Sequence, residues 1–166
     1  VKGMKKLLNE MAKLGLNQVM LYTEETYEVK EYPYFGYLRG RYSQTELREM
    51  DDYAYQLGIE MVPCIQTLGH LYLALNYEYA NSFKDTSDIV LVGEAKTYEF
   101  LDNLIRSASE PFRTKRIHVG MDEAWGLGTG QYRSKNGIRD SFEIMNEHLR
   151  EVVKITQKYG LEPMMW

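Results

Sequence analysis

Two adjacent acids, Asp122 and Glu123, are the residues of this sequence best placed to carry out chemistry. They follow a short apolar segment, Ile117 to Val119, which is typical of a buried strand and ends at Gly120. Two carboxylates held side by side repel each other and lose solvation, which favours one ionised group and one protonated group. General acid–base catalysis requires that combination. The alternative is a strand end followed by two solvated carboxylates in a loop, because an acidic dipeptide alone is a weak motif.

The residues around these acids resemble a known signature. The run from His118 to Glu123, His-Val-Gly-Met-Asp-Glu, is similar to the His-x-Gly-x-Asp-Glu signature of family 20 glycoside hydrolases, the β-N-acetylhexosaminidases. That signature is fairly specific because it fixes several residue types at the end of one barrel strand. The resemblance implies a catalytic barrel and a hydrolase that removes terminal N-acetylglucosamine or N-acetylgalactosamine.

The segments that must position these acids alternate between helical and strand patterns. Ser43 to Glu46 is a capping box that begins one of the helices. Apolar spacing predicts helices over about 2–14, 44–57, 96–108 and 140–159, and strands over about 17–22, 59–65, 116–119 and 161–166. The connections before strands are short and those after strands are long, as in barrel enzymes whose sites are built at the C-terminal strand ends. We therefore expect an α/β fold, a partial (β/α)8 TIM barrel with about four parallel strands and alternating helices.

The predicted elements are too few for a closed barrel, which needs eight strands and about 250 residues. The chain has 166 residues, begins with a helix and ends with a strand. We therefore expect residues 1–166 to form a single partial catalytic-barrel domain, truncated at both ends. Its open sheet edges could pair two copies into a homo-oligomer. A doubly wound open sheet is the structural alternative, but no Gly-rich phosphate loop follows the first strand.

The resemblance extends to a second strand end. The family's third strand usually ends Pro-Glu-Ile-Asp-x-Pro-Gly-His, and this chain keeps Pro63, Gly69 and His70 of that motif. Cys64 and Gln66 replace the two acids, so the chain resembles a divergent branch.

The resemblance also implies supporting residues. His70 would tune the catalytic acid together with an acid from the second barrel strand, a place held here by Glu24, with Glu25 as the competing assignment. Trp166 falls where the family has a Trp that walls the pocket for the acetamido methyl group; a buried aromatic anchor is its alternative.

Two more residues near the acids are candidates for supporting the site or binding the substrate. His118 alternates with Ile117 and Val119, so it is expected to face the barrel interior as a hydrogen-bonded support, or else to be a satisfied core histidine. Trp125 is an aromatic residue close to the acids whose role stays open.

The mechanism that the resemblance implies is retaining and substrate-assisted. Glu123 would protonate the glycosidic oxygen and then activate water. Asp122 would hold the acetamido N–H, orient the acetamido carbonyl oxygen on the anomeric carbon and stabilise the oxazolinium intermediate. Met121 and the nearby indoles are expected to shield Glu123 from water.

Composition and charge narrow the possible partners and cofactors of the protein. The net charge is −4 and no basic patch suggests nucleic acid, while the apolar runs are too short to span a membrane. The lone Cys64 cannot form an internal disulfide, and no His/Cys cluster suggests a metal, so no cofactor is expected. No signal peptide is visible, but Val1 is not an initiator methionine; the compartment stays open, with the cytoplasm slightly favoured.

Two other functions stay open. A catalytically silent sugar-binding or structural piece is one, because the Arg on the family's first strand and the groups on its later strands are missing here. The other is a different barrel glycosidase, although the Asp-x-x-Asp-x-Asp-x-Glu run typical of family 18 is absent. Under the leading hypothesis the glycan is the partner, and the 166 residues alone are expected to be inactive.

Overall fold

The computed structural model describes all residues from 1 to 166. The helices are α1 (Lys2–Lys13), α2 (Gln44–Gln56), α3 (Ala95–Ser109), α4 (Gln131–Asn136) and α5 (Ser141–Lys158). The strands are β1 (Gln18–Tyr22), β2 (Glu60–Cys64), β3 (Arg116–His118) and β4 (Glu162–Met164). Two short 3-10 turns, Ala74–Asn76 and Glu78–Ala80, lie between β2 and α3. No helix of the chain combines the length and the apolarity that crossing a bilayer requires.

The four strands form one sheet in the order β1-β2-β3-β4, and every neighbouring pair is parallel. Tyr22 lies opposite Cys64, Cys64 lies opposite His118, and His118 lies opposite Met164. Parallel neighbours need a long crossover connection, and a helix supplies it in each case. The predicted α/β fold of about four parallel strands with alternating helices is therefore confirmed.

The two faces of the sheet have different surroundings. Leu21 and Ile117 belong to the main apolar core beneath the helices. Successive side chains of a strand point to opposite faces, so Tyr22 and His118 lie on the other face. Tyr22 is 47% exposed there, whereas His118 is buried. The second face therefore carries polar side chains from the sheet toward the strand ends, where the acids stand.

The starts of α2 and α4 show which helices could be predicted from local sequence. The predicted capping box of α2 is present: the Ser43 hydroxyl accepts the backbone N–H of Glu46, and the Glu46 carboxylate accepts the N–H of Ser43. Helix α4, by contrast, lies in a connection for which the sequence predicted no element. The buried carboxylate of Asp85 accepts the N–H groups of Gly128 and Tyr132 at its start. That partner is distant in sequence, so no local pattern could announce the helix.

One buried histidine ties α5 to the segments that carry the acids. His148 is fully buried, and its Nε2 lies 2.8 Å from the carbonyl oxygen of Thr67. A carbonyl can only accept, so Nε2 carries the proton of a neutral ring. The Thr67 hydroxyl in turn donates to the carbonyl of Val119, after β3. Burial lowers the pKa of His148 from 6.5 to about 4.

We predict that His148 makes the fold sensitive to acid. Because its folded-state pKa lies below its ordinary value of 6.5, the stability it contributes is complete above pH 6.5 and is lost as the pH falls toward 4. The loss should reach about 3 kcal/mol. His148→Gln can still donate to Thr67 but does not titrate, so its unfolding free energy should change less over this interval. Urea unfolding of both proteins at pH 7 and pH 4.5 measures the difference, and equal pH dependence would contradict the assignment.

Candidate active site

The candidate site lies where three neighbouring strands end. Glu24 follows β1, His70 follows β2, and Asp122 and Glu123 follow β3. The backbone φ is +44° at Glu24, +55° at His70 and +51° at Glu123. L-residues rarely adopt this left-handed region, and each instance costs about 1–3 kcal/mol unless its surroundings impose it. Strain of this kind concentrates at functional sites, so its place at these three strand ends supports a site there.

His70 contacts both acids. Its Nε2 atom lies 3.3 Å from Asp122 Oδ2 and 3.5 Å from Glu123 Oε2. The structure therefore brings together the two predicted acids and the histidine expected to tune them. The Glu123 side chain is 62% exposed and can reach a ligand from solvent.

The expected shielding of Glu123 is absent from this chain. Met121 turns into the core and is 2% exposed, while the Trp125 side chain, which was expected to cover the acid, is itself 88% exposed. Trp125 stays next to the acid through its backbone N–H, which donates to the carbonyl of Glu123 at 2.8 Å. That prediction is therefore wrong for residues 1–166, because the Glu123 side chain keeps 62% of its surface exposed.

Gln66 is the residue of the site that sequence reasoning missed. Its Nε2 donates to Asp122 Oδ1 at 2.8 Å, and its Oε1 accepts the N–H of Met121 at 3.2 Å. The side chain is buried. The sequence showed Gln66 only as a departure from a motif. Its place just after β2, at the edge where the acids stand, was the available signal, since the ends of parallel strands meet at one edge.

Gly120 makes this contact sterically feasible. Its φ is +74°, and a Cβ atom there would lie 2.2 Å from Gln66 Oε1 and 2.8 Å from the carbonyl oxygen of Ile65. Atoms cannot approach so closely without displacement. A glycine is therefore needed both for the backbone conformation and for the room that the Gln66 amide occupies.

The two candidate acids after β1 have different environments. Glu24 accepts a hydrogen bond from the Tyr22 hydroxyl at 3.5 Å and one from Arg39 at 3.3 Å. Tyr22 also accepts from Gln66 Nε2 at 3.3 Å, which connects Glu24 to the Asp122 network. Glu25 is buried beside Arg39, and burial raises its pKa. The structure therefore links Glu24, rather than Glu25, to the candidate site, and it does so through Tyr22 instead of by direct contact with His70.

His118 and Trp166 form a pair on the same face of the sheet. His118 is buried, its Nδ1 accepts the N–H of Gly120 at 3.2 Å, and burial lowers its pKa, which keeps the ring neutral. Its ring centroid lies 4.4 Å from that of Trp166. Trp166 is 61% exposed, so within residues 1–166 it is not a buried anchor, and its indole is available to wall a pocket.

The His70, Asp122 and Glu123 side chains also form a cluster that a cation could bridge, because their ligand atoms all lie within 4.8 Å of one another. The sequence has no His/Cys cluster and predicted no metal site; this mixed cluster forms only where the ends of β2 and β3 meet. A cavity of about 560 Å³ lies elsewhere; Glu28, Arg41 and Arg106 are among its lining residues. Within residues 1–166 the Glu123 side chain, which is 62% exposed, stands on an open surface.

Comparisons with known proteins agree with this geometry. Residues 8–166 match the family described as glycosyl hydrolase family 20, catalytic domain. A β-hexosaminidase of Porphyromonas gingivalis is 25% identical over all of this chain, which covers 26% of that protein. Hexosaminidase D of Homo sapiens is 26% identical over 92% of this chain, which covers 33% of that protein. The chain therefore spans about a quarter to a third of the length of these curated relatives.

Solved structures share the fold. A β-N-acetylhexosaminidase from Bacteroides fragilis superposes with a TM-score of 0.82 at 24% identity, over 98% of this chain and 38% of that one. An exo-β-N-acetylglucosaminidase from Vibrio harveyi, solved with N-acetylglucosamine, superposes with a TM-score of 0.82 at 20% identity, over 99% of this chain and 33% of that one.

The close approach at Gly120 yields a prediction with an internal control. Gly58 has nearly the same φ, +73°, but nothing lies within 4 Å of a Cβ placed there. Gly58→Ala should cost only the backbone strain, about 1–2 kcal/mol. Gly120→Ala should cost a further 1–3 kcal/mol or so, because it displaces a buried amide from its hydrogen bonds. Chemical denaturation measures both, and equal losses would show that the Gly120 contact is not tight.

Proposed function

The chain belongs to glycosyl hydrolase family 20, and we propose that it carries the acid–base residues of a β-N-acetylhexosaminidase. The observation that carries the proposal is the placement of Asp122 and Glu123 at the end of β3, both within 3.5 Å of His70 Nε2. The printed names of the relatives, β-hexosaminidase and hexosaminidase D, point to the same activity. The substrate is a glycan that ends in N-acetylglucosamine or N-acetylgalactosamine.

In this proposal the substrate supplies the nucleophile. The acetamido carbonyl oxygen bonds to the anomeric carbon while the glycosidic C–O bond breaks, and Glu123 gives its proton to the departing oxygen. Glu123 then removes a proton from water, which attacks the anomeric carbon, reopens the oxazolinium ring and restores the acetamido group. Its exposed carboxylate is open to both the glycosidic oxygen and water.

Asp122 acts on the acetamido group. Its carboxylate accepts the acetamido N–H, which turns the carbonyl oxygen toward the anomeric carbon, and its negative charge stabilises the positive charge that develops on the ring. The hydrogen bond from Gln66 to Oδ1 holds this carboxylate in place.

The other predicted residues support these two. His70 contacts both acids directly and helps to hold their carboxylates in place. His118 holds the Gly120 turn, and Trp166, packed on it, walls the acetamido side. Glu24 fixes Tyr22, and Trp125 offers an exposed ring for packing against the substrate. These reactions need no metal, and a cation bridging His70 and the acids would compete with them.

The chain is proposed to work as part of a larger barrel. Residues 1–166 supply four strands in one open sheet, and they span 26% and 33% of the relatives described above. The rest of the sugar pocket is assigned to strands outside these residues. This agrees with the open surface on which Glu123 stands.

The roles of the two acids predict a contrast between substrates. In the full-length protein, Glu123→Gln should lower kcat/KM for an unactivated oligosaccharide by about 10²–10⁴-fold, because the amide has no acidic proton to give. The rate of the first step with a nitrophenyl glycoside should fall less, since that leaving group needs less protonation. Near-parental rates on the oligosaccharide would show that the acid is misassigned.

Asp122→Asn should lower kcat/KM for the nitrophenyl glycoside at least as much as it lowers kcat/KM for the oligosaccharide. The reason is that Asp122 acts on the nucleophile and not on the leaving group. A matching glucoside without the acetamido group should not react, and its ready hydrolysis would contradict the substrate-assisted scheme. Glu78→Gln, which changes an exposed acid in the connection after β2, serves as the control and should leave both rates unchanged.

Residues 1–166 produced alone are proposed to be inactive and to associate. Strands β1 and β4 each have one neighbour in the sheet, so each keeps one edge of unpaired backbone groups. Two copies that pair along these edges would close a sheet resembling a barrel without recreating the pocket. Light scattering should detect dimers or larger species, and turnover of a nitrophenyl N-acetylglucosaminide should be absent. A sharp monomer peak with cooperative unfolding would contradict the association, and measurable turnover the inactivity.

A further inference from the structure

Gln66 is a buried side chain whose polar atoms are all used. A primary amide offers two N–H groups and one carbonyl oxygen. The two N–H groups serve Asp122 Oδ1 at 2.8 Å and the Tyr22 hydroxyl at 3.3 Å, and the oxygen accepts the N–H of Met121 at 3.2 Å. The side chain is 1% exposed. The orientation of the amide follows from these contacts, because a backbone N–H can only donate and must face the oxygen.

The contacts of Gln66 join three strand ends. Tyr22 ends β1, Gln66 itself follows β2, and Met121 and Asp122 follow β3. Gly120 gives the amide its room, since any Cβ there would overlap Gln66 Oε1. Asp122 is therefore fixed relative to β1 and β2 and not only to the turn that carries it.

The Asp122 carboxylate is held at both oxygens. Oδ1 accepts from Gln66, and Oδ2 lies 3.3 Å from His70 Nε2. A carboxylate has about four lone-pair positions, so positions remain for a ligand N–H on a group that can no longer rotate freely. The side chain is 30% exposed, which leaves that remaining side accessible.

The acidic surroundings of Asp122 favour an uncharged hydrogen-bond donor beside it. Glu123 adjoins Asp122 in sequence, and Glu24 is linked to Asp122 by hydrogen bonds through Tyr22 and Gln66. A carboxylate in place of the Gln66 amide would add a further negative charge directly against Asp122. An amide donates a hydrogen bond without adding charge and without taking or giving a proton.

We propose that Gln66 is a positioning residue for the reaction, which orients the Asp122 carboxylate toward the acetamido N–H of the substrate. The proposal rests on the function proposed above. It places the effect of Gln66 on the nucleophile side of the chemistry, because Gln66 contacts Asp122 and makes no hydrogen bond to Glu123.

Two substitutions separate the parts of this role. Gln66→Glu keeps the length and the oxygen that accepts from Met121, but it replaces the donor with an oxygen that repels Asp122. Gln66→Met fills a similar volume and removes every hydrogen bond. Both should lower kcat by about 10- to 100-fold, the scale of a misplaced reacting group. The loss should be the same for aryl N-acetylglucosaminides with good and poor leaving groups, as for Asp122→Asn and unlike Glu123→Gln.

Gln44 provides the matched control. It is another partly buried glutamine, its Nε2 donates to the carbonyl of Ser107 at 2.8 Å, and it lies at the start of α2, outside the candidate site. Gln44→Met should lower the melting temperature without changing kcat. The measurements are kcat and KM on the two aryl glycosides together with the melting temperature, for the full-length protein and each variant.

The outcomes decide the proposal. Equal kcat losses on both leaving groups in folded Gln66 variants, with Gln44→Met near parental activity, support it. Gln66 variants within about twofold of the parent overturn it, as does a loss that grows with poorer leaving groups, which would place the effect on Glu123.

A double-mutant cycle keeps the test independent of activity. If Gln66 holds Asp122, the double variant should shift the urea midpoint by less than the sum of the shifts of Gln66→Met and Asp122→Asn. Each single substitution already removes the same contact, so its loss counts only once in the double variant. Strict additivity overturns the positioning contact. Coupling in a protein that hydrolyses no N-acetylhexosaminide would support the contact and reject the proposed function instead, so the two failures are distinguishable.

Discussion

The parallel pairing of β2 with β3 is the contact on which the site depends. The N–H of Ile65 donates to the carbonyl of His118 at 2.9 Å. Beyond the strands, the Thr67 hydroxyl donates to the carbonyl of Val119, and the N–H of Met121 donates to Gln66 Oε1. Side chains alternate between the faces of a strand, so a slip of one residue would turn Gln66 away from Asp122. The register therefore places the residues of the candidate site as well as the core.

Local sequence patterns predicted most of the helices and strands but few of the hydrogen bonds that connect the site residues. The four strands, the long helices and the capping box at Ser43 follow from spacing and cap chemistry, which act within a few residues. The two acids could be identified as candidate site residues from the sequence because they directly follow a predicted strand. The support from Gln66 and the start of α4 on Asp85 depend on partners 40 or more residues away, and such contacts exist only once the chain has folded.

The choice between Glu24 and Glu25 illustrates the same limit. Both acids follow β1, and their types and positions are equivalent in the sequence. The left-handed backbone of Glu24 separates them: one carboxylate turns to Tyr22 and the site, and the other is buried beside Arg39. That turn is imposed by the folded loop, because an isolated Glu has no preference for positive φ.

The exposure of Glu123 bears on how the acid works. Asp122 is held by Gln66 and His70, whereas the Glu123 carboxylate has a single contact, 3.5 Å from His70, and a side chain that is 62% exposed. Within residues 1–166 the Asp122 carboxylate is therefore preorganised, and the Glu123 carboxylate is left open to solvent. Water must be displaced from an acid before low dielectric can strengthen its interactions. In the function we propose, the bound sugar displaces this water from Glu123, so substrate binding and the readiness of the acid are coupled.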